Sequence, residues 1–104
     1  MKIITVTYTT TPGFAVQNQA NIRVVMHDLR PQKYAGIHYH CCLCANGQTF
    51  IHTAFFNTVE DQQLLNELPS FMHFQAALKA AGFEKPPKQE VLALVGCSKE
   101  LFTP

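Results

Sequence analysis

Tryptophan is absent from this chain, charge is scarce, and neither a run of basic residues nor a long apolar stretch occurs in it. Charged residues make up 14% against 47% hydrophobic, few for a small monomer whose surface must be solvated. Part of the apolar surface is therefore expected to be covered by another subunit. A formal net charge of +1 with no Lys/Arg cluster argues against nucleic acid or anionic membrane as the main partner, because phosphate binding relies on clustered cations. No apolar stretch reaches the roughly 18 residues of a membrane span, and Met1 leads straight into the strand-like KIITVTY rather than a basic and then apolar leader. The expectation is a soluble, unprocessed, cytoplasmic protein. Cys41, Cys42 and Cys44 lie too close together to staple distant segments, which is a poor fit to a secreted disulfide scaffold. Reduced thiols follow, with Cys97 read as a small apolar residue suited to burial.

What is present is a regular succession of elements in 104 residues, the size of one domain spanning 1–104. Ile3 to Thr9 alternates Ile4, Val6 and Tyr8 with threonines, a strand. Thr11-Pro12-Gly13 then suits a helix start, with Thr11 as cap and Pro12 in the first turn. Ile22, Val25, Met26 and Leu29 recur at helical spacing up to Arg30-Pro31, giving a helix over 13–30 whose first half is thin in apolar residues. Tyr34 to Ala45 and Gln48 to Phe56 flank Asn46-Gly47, which suits a type I′ turn between two strands. Thr58 and Asp61 form a relative of the capping box ahead of a stripe of Leu64, Leu68, Phe71, Phe74, Leu78 and Ala81 that Gly82 closes. Pro69 lies inside that stripe, so a kink or a break into two helices is expected. After a Pro86-Pro87 loop, Glu90 to Cys97 reads as the last strand and Ser98 to Pro104 as a tail.

The order is βαββαβ, a ferredoxin-like α+β arrangement with two helices on one face of a four-stranded antiparallel sheet. The strands are not clean apolar-polar alternators, so the second face also wants cover. Another copy of the same sheet is the simplest cover, which implies a homodimer.

The stretch IHYHCCLC, residues 37 to 44, crowds two histidines and three cysteines together. A two-residue turn sets Cys41 opposite His52, His40 opposite Thr53 and His38 opposite Phe55. Ile37, Tyr39, Cys41, Leu43, Phe50, His52, Ala54 and Phe56 then share the more apolar face, assigned to the helices. Tyr34, His38, His40, Cys42, Cys44, Thr49, Ile51, Thr53 and Phe55 share the other, suited to a polar-flecked cavity for a small ligand. A bulge or a longer turn would swap the two assignments. His38, His40, Cys42 and Cys44 are all zinc-capable, but residues i and i+2 stand about 6.5 to 7 Å apart along a strand, so four in a row cannot surround one ion. Cys42-Leu43-Cys44 also lacks the helix N-terminus that lowers a thiol pKa in redox motifs. No metal and no cofactor is expected. The plainest reading has the cysteines filling space and the histidines hydrogen-bonded in a dimer core. The sharper one gives His38 and His40 a catalytic role as hydrogen-bond donor or general base, with Tyr34, Cys42, Thr49, Thr53 and Phe55 lining the pocket. His52 reads as a core histidine and His73 as a solvated one.

With the βαββαβ order, the strand-ending TTTPGF, the long hairpin and LPSFMHFQAALKAAG in the second helical region, nearly the whole chain resembles the dimeric α+β barrel superfamily, in particular antibiotic biosynthesis monooxygenase (ABM) domains. The resemblance implies two ferredoxin-like protomers packed sheet to sheet, with a ligand cavity between each sheet and its helices or within the barrel. It also implies a range of activities: cofactor-independent oxygenation of polycyclic aromatic compounds, haem degradation, isomerisation or decarboxylation. Better-known oxygenases of this kind use tryptophan with Asn, Tyr or His beside the substrate. Here Trp is missing, and His73, placed where haem-degrading relatives carry a histidine, has no matched Asn and Trp. No catalytic residue is therefore carried over from the family.

Two readings follow. One is a monooxygenase-like enzyme acting on a small aromatic or carbonyl compound; the other is a non-catalytic ligand-binding or regulatory dimer. Other uses of this strand order fit poorly. QTFIHTAFF lacks the basic-glycine-aromatic strand of RNA-recognition domains, the loop TTTPGF lacks the paired cysteines of copper chaperones, and no arginine follows the first strand before Arg23 to cradle a phosphate.

Overall fold

A computed structural model describes residues 1–102. Its elements are β1 (Lys2–Thr10), α1 (Ala15–Asp28), β2 (Ile37–Leu43), β3 (Thr49–Phe56), α2 (Val59–Glu67), α3 (Pro69–Ala81) and β4 (Phe83–Leu92). Short 3-10 turns at Pro12–Phe14 and Gln32–Tyr34 precede α1 and β2. The strands form one antiparallel sheet in the order β2-β3-β1-β4, the ferredoxin-like α+β topology.

Local chemistry sets most of these boundaries. Pro12 takes the first position of the entering turn, as expected, but Thr11 makes no side-chain capping bond. The first half of α1 is poor in apolar residues because its inward positions are Ala15, Asn18 and Asn21, all buried. Thr58 and Asp61 form a complete capping box at the start of α2. Proline cannot continue a helix, and Pro69 starts a new one: Leu68 is extended (φ −67°, ψ 121°) between α2 and α3. That break resets the helical phase, so Leu65 is buried where Leu64 was expected to lead the stripe, and Leu64 is half-buried. Gly82 ends α3 with a positive φ of 78°. Gly36 passes so close to the Asp61 carboxylate that a Cβ there would strike it.

Two expectations about strand limits are corrected. β2 begins at Ile37 rather than Tyr34, because Pro31 and the 3-10 turn after it carry Tyr34 away from the sheet. β4 runs Phe83–Leu92 instead of Glu90 to Cys97, taking Pro86-Pro87 into the strand. Two features permit this. β4 is an edge strand, and its register against β1 shifts between Thr7 and Thr9, so the prolines fall at an irregularity in the ladder. Apolar VLALVG cannot continue the strand beyond Leu92, because Leu92 pairs with Ile3 and β1 starts at Lys2. Cys97 is consequently exposed, not buried. Leu94, Cys97, Leu101 and Phe102 instead share a shallow hollow with Met1 and Asn57. The last two residues of the expected tail lie outside the described residues.

The hairpin has the expected register, Cys41 opposite His52, His40 opposite Thr53 and His38 opposite Phe55, but a different turn. Only Gly47 has positive φ (73°), so the turn is not type I′. Asn46 Oδ1 accepts from the backbone N–H groups of Gln48 and Thr49 at 3.0 and 2.9 Å, and Cys44 N–H donates to Thr49 O at 2.8 Å. The wider loop keeps an even count of residues, so no side chain changes face. Ile4, Tyr8, Phe50, Ala54 and Phe56 are buried with Ile22, Val25, Leu65, Phe71, Phe74 and Leu78 in one core between sheet and helices. Among the described residues no helix lies on the opposite sheet face, where Ile3 is buried but His38, His40 and Ile51 are exposed.

Candidate functional site

The bare face carries most of the residues that the sequence nominated. His38 and His40 stand T-shaped with ring centroids 5.9 Å apart, and Phe55 lies 5.5 Å from His38 and 6.3 Å from His40. Thr53, opposite His40, completes this cluster, and Cys42 is exposed on the same strand face. Thr49 is held at the turn end, where its hydroxyl is 2.8 Å from that of Thr9 and accepts from Asn46 Nδ2 at 2.7 Å. Tyr34 does not join them: it packs against the core from its 3-10 turn, with Lys33 Nζ 5.1 Å from its ring centre. Both histidines are exposed and also reach an open hollow of about 570 Å³ between α1 and the free edge of β2, together with Arg23 and Arg30. Among the described residues, no three His, Cys, Asp or Glu side chains converge as a metal site.

The helix side holds a second constellation. The register places His52 opposite Val6 on β1 and Cys41 on β2, so Tyr8 and Tyr39 are its diagonal neighbours on the same face. Tyr8 Oη lies 2.7 Å from His52 Nε2, and Tyr39 Oη lies 2.6 Å from His52 Nδ1. Asn18, fully buried on α1, donates from Nδ2 to Tyr8 Oη at 2.8 Å. A continuous chain of hydrogen bonds thus runs Asn18, Tyr8, His52, Tyr39. Aromatic walls hold it: Phe50 stacks on Tyr8 at 5.6 Å, Phe74 tilts against His52 at 5.4 Å, and Phe71 meets Tyr39 edge-on at 6.3 Å.

Burial keeps these groups uncharged. Desolvation lowers the His52 pKa to about 4, so its imidazole is neutral at physiological pH. It raises both tyrosines well above the ordinary phenol value, opposed in Tyr8 by the bond from Asn18. Desolvation, with a smaller contribution from Cys42, also pushes the neighbouring Cys41 thiol up to about 12. Tyr8, Tyr39 and His52 line a cavity of about 360 Å³ with Val6, Phe71, Phe74, Leu78 and Phe83, while Gln75, Lys79 and Gln89 also border it. A mainly apolar, partly open cavity with a few convergent polar groups is a usual form of a small-molecule site. It can hold a flat ring system and direct one hydroxyl at it.

Sequence reasoning placed His52 on the helix side but did not join it to Tyr8, Tyr39 and Asn18. The signal was present: three polar aromatic side chains on adjacent strands of the face assigned to the core need hydrogen-bond partners there, and an asparagine at an inward position of the first helix supplies one.

No protein-family model matches the chain and no curated protein is significantly similar to it. Solved structures are similar in fold. A protein of Bacteroides thetaiotaomicron assigned as an antibiotic biosynthesis monooxygenase superposes with a TM-score of 0.82 at 5% identity, over 95% of this chain and 93% of that one. One of Nitrosomonas europaea with the same assignment gives 0.76 at 12% identity, over 92% and 100%. SnoaB, a cofactor-independent oxygenase from Streptomyces nogalater, gives 0.65 at 13% identity, over 95% and 98%. The chain therefore has the fold of the ABM-like α+β proteins.

Proposed function

We propose that this protein is a cytoplasmic homodimer that binds a small aromatic carbonyl or phenolic compound and acts on it as a cofactor-independent, monooxygenase-like enzyme. The observation that carries the reading is the aromatic-walled cavity whose polar end is the His52–Tyr39 pair, 2.6 Å apart and uncharged. A tyrosine hydroxyl in an apolar enclosure can stabilise oxygen charge on an enolate or phenolate, and Lys79 at the border favours an anionic ligand. No carboxylate lines the cavity, so the fitting substrates are those already acidic enough to ionise in water. Likeness of fold to SnoaB, a cofactor-independent oxygenase, supports oxygen chemistry without a cofactor.

The dimer rests on what the isolated chain leaves uncovered. Ile51 and Leu92, both on the bare face, are 38% and 42% exposed. A second copy against this face would remove them from water and enclose His38, His40, Thr53 and Phe55 in an interior lined from both protomers. That cluster is the alternative seat of catalysis, with an imidazole as general base.

Oxygen uptake tests the reading. With 1,3-indandione as substrate, we expect uptake matched by product, abolished in Tyr39→Phe and retained in His38→Ala. Loss in His38→Ala alone would move the chemistry to the bare face. Saturable binding without uptake would make the protein a non-catalytic binder, and neither binding nor uptake would overturn the proposal.

A further inference from the structure

We propose that Asn18 fixes the direction of the buried hydrogen-bond chain, so that Tyr39 presents a hydroxyl proton to the cavity and the site selects ligands by a hydrogen-bond acceptor. The inference rests on the cavity reading above and adds to it the polarity of the site.

A Tyr8 oxygen that accepted from both Asn18 and His52 would strand its own proton, because it has no third partner among the described residues, and this leaves two directions for the chain. When Asn18 Nδ2 donates to Tyr8 Oη, the Tyr8 proton is free to go to His52 Nε2, which must then be unprotonated. A neutral imidazole carries its single proton on the other nitrogen, so Nδ1–H donates to Tyr39 Oη. Tyr39 Oη has no other hydrogen-bond partner among the described residues, and its own proton is left for whatever occupies the cavity that it lines.

The reverse direction needs Tyr8 to donate to Asn18 Oδ1, with Nε2–H donating to Tyr8 and Tyr39 donating to Nδ1. It would require the Asn18 amide to be turned over. Asn18 is fully buried, and in the observed orientation its unpaired side-chain atom is Oδ1. Turned over, both N–H groups of the amide would be unpaired, against one N–H and Oδ1 in the observed orientation, and a buried N–H is the costlier group to strand. The observed orientation is therefore the stable one, and Asn18 is a positioning residue acting through Tyr8 and His52 on Tyr39.

Two measurements test this. The first is the nitrogen-15 chemical shifts of His52 at neutral pH, which report the tautomer whether or not any ligand is known. The chain predicts Nδ1–H, the opposite of the form preferred by free imidazole side chains in water; an Nε2–H tautomer overturns the proposal. The second compares 1-indanone, which only accepts hydrogen bonds, with indole, which only donates one, both small enough for the cavity. One net hydrogen bond corresponds to roughly three- to tenfold tighter binding of 1-indanone. In Asn18→Asp the carboxylate can only accept from Tyr8, which turns the chain round, so the preference should reverse and the His52 proton should move to Nε2. Tyr8→Phe, which leaves the core packing in place, should abolish the preference without reversing it. Tighter binding of indole by the unaltered protein overturns the inference while leaving the cavity reading intact. Binding of neither probe overturns the cavity reading, and the tautomer still decides the direction.

Discussion

The two faces of one sheet put histidine in opposite physical settings. His52, on the side that the helices cover, is 5% exposed, bonded through both ring nitrogens and held neutral by burial. His38 and His40, one strand away on the other side, are exposed, with their rings beside each other and Phe55. Strand geometry alone separates them, since neighbours along a strand point to opposite faces. Residue type does not make a site. What makes one is burial that removes water and joins the polar groups to one another.

The comparison can be broken most forcefully in the core. Phe50 is 1% exposed, and Phe50→Ala should cost about 3–5 kcal/mol in denaturant unfolding. Phe55→Ala, half-exposed on the bare face, should cost less than about 1.5 kcal/mol in a monomer and weaken self-association in a dimer. Comparable losses in a monomeric protein would mean that the bare face is as well packed as the covered one.

Acid titration sharpens the contrast further. His52 binds a proton at about pH 4 when folded and near 6.5 when unfolded, so between these values the unfolded chain holds more protons and stability rises with pH. The full contribution is present above about pH 6.5 and is lost as pH falls towards 4, by up to about 3 kcal/mol. His52→Phe should flatten the stability profile in that window. An unchanged slope in His52→Phe would show that the imidazole is not kept neutral by the fold.

Smaller effects follow at the edges of the covered side. Gly36→Ala should cost about 1–2 kcal/mol, because a Cβ would displace the Asp61 carboxylate from its bonds to Thr58 and loosen the cap of α2. Thermal unfolding measures it, and a neutral result would show that the capping box shifts freely. Smallest of all in energy, but easily read, is thiol labelling. Burial raises the Cys41 pKa to about 12, so iodoacetamide at pH 8 should modify exposed Cys42 and Cys97 well before Cys41. Equal rates would place Cys41 in water.

Much of the fold was legible because it depends on local chemistry and pattern. Alternation identified β1, the Asn46-Gly47 turn fixed the hairpin register, and Thr58, Pro69 and Gly82 marked the helix limits. β4 was misplaced because its position depends on a partner: FEKPPKQE has little strand propensity, and pairing with β1 decides its state. Tyr34 was misplaced for a related reason, since the 3-10 turn that removes it from β2 leaves no periodic trace. For the candidate site, the sequence drew attention to the dense IHYHCCLC stretch. The covered constellation is assembled from α1, β1, β2 and β3, and only three-dimensional register brings Asn18, Tyr8, Tyr39 and His52 within bonding distance.

The central claim, that the ligand site lies between sheet and helices, is tested most directly by titrating 1-indanone into nitrogen-15 labelled protein and following the backbone amide shifts. The account predicts saturable changes centred on Tyr39, His52, Phe71 and Phe74, reduced at least severalfold in Tyr39→Phe. Changes centred on His38, His40, Thr53 and Phe55 would contradict it and place the site on the bare face.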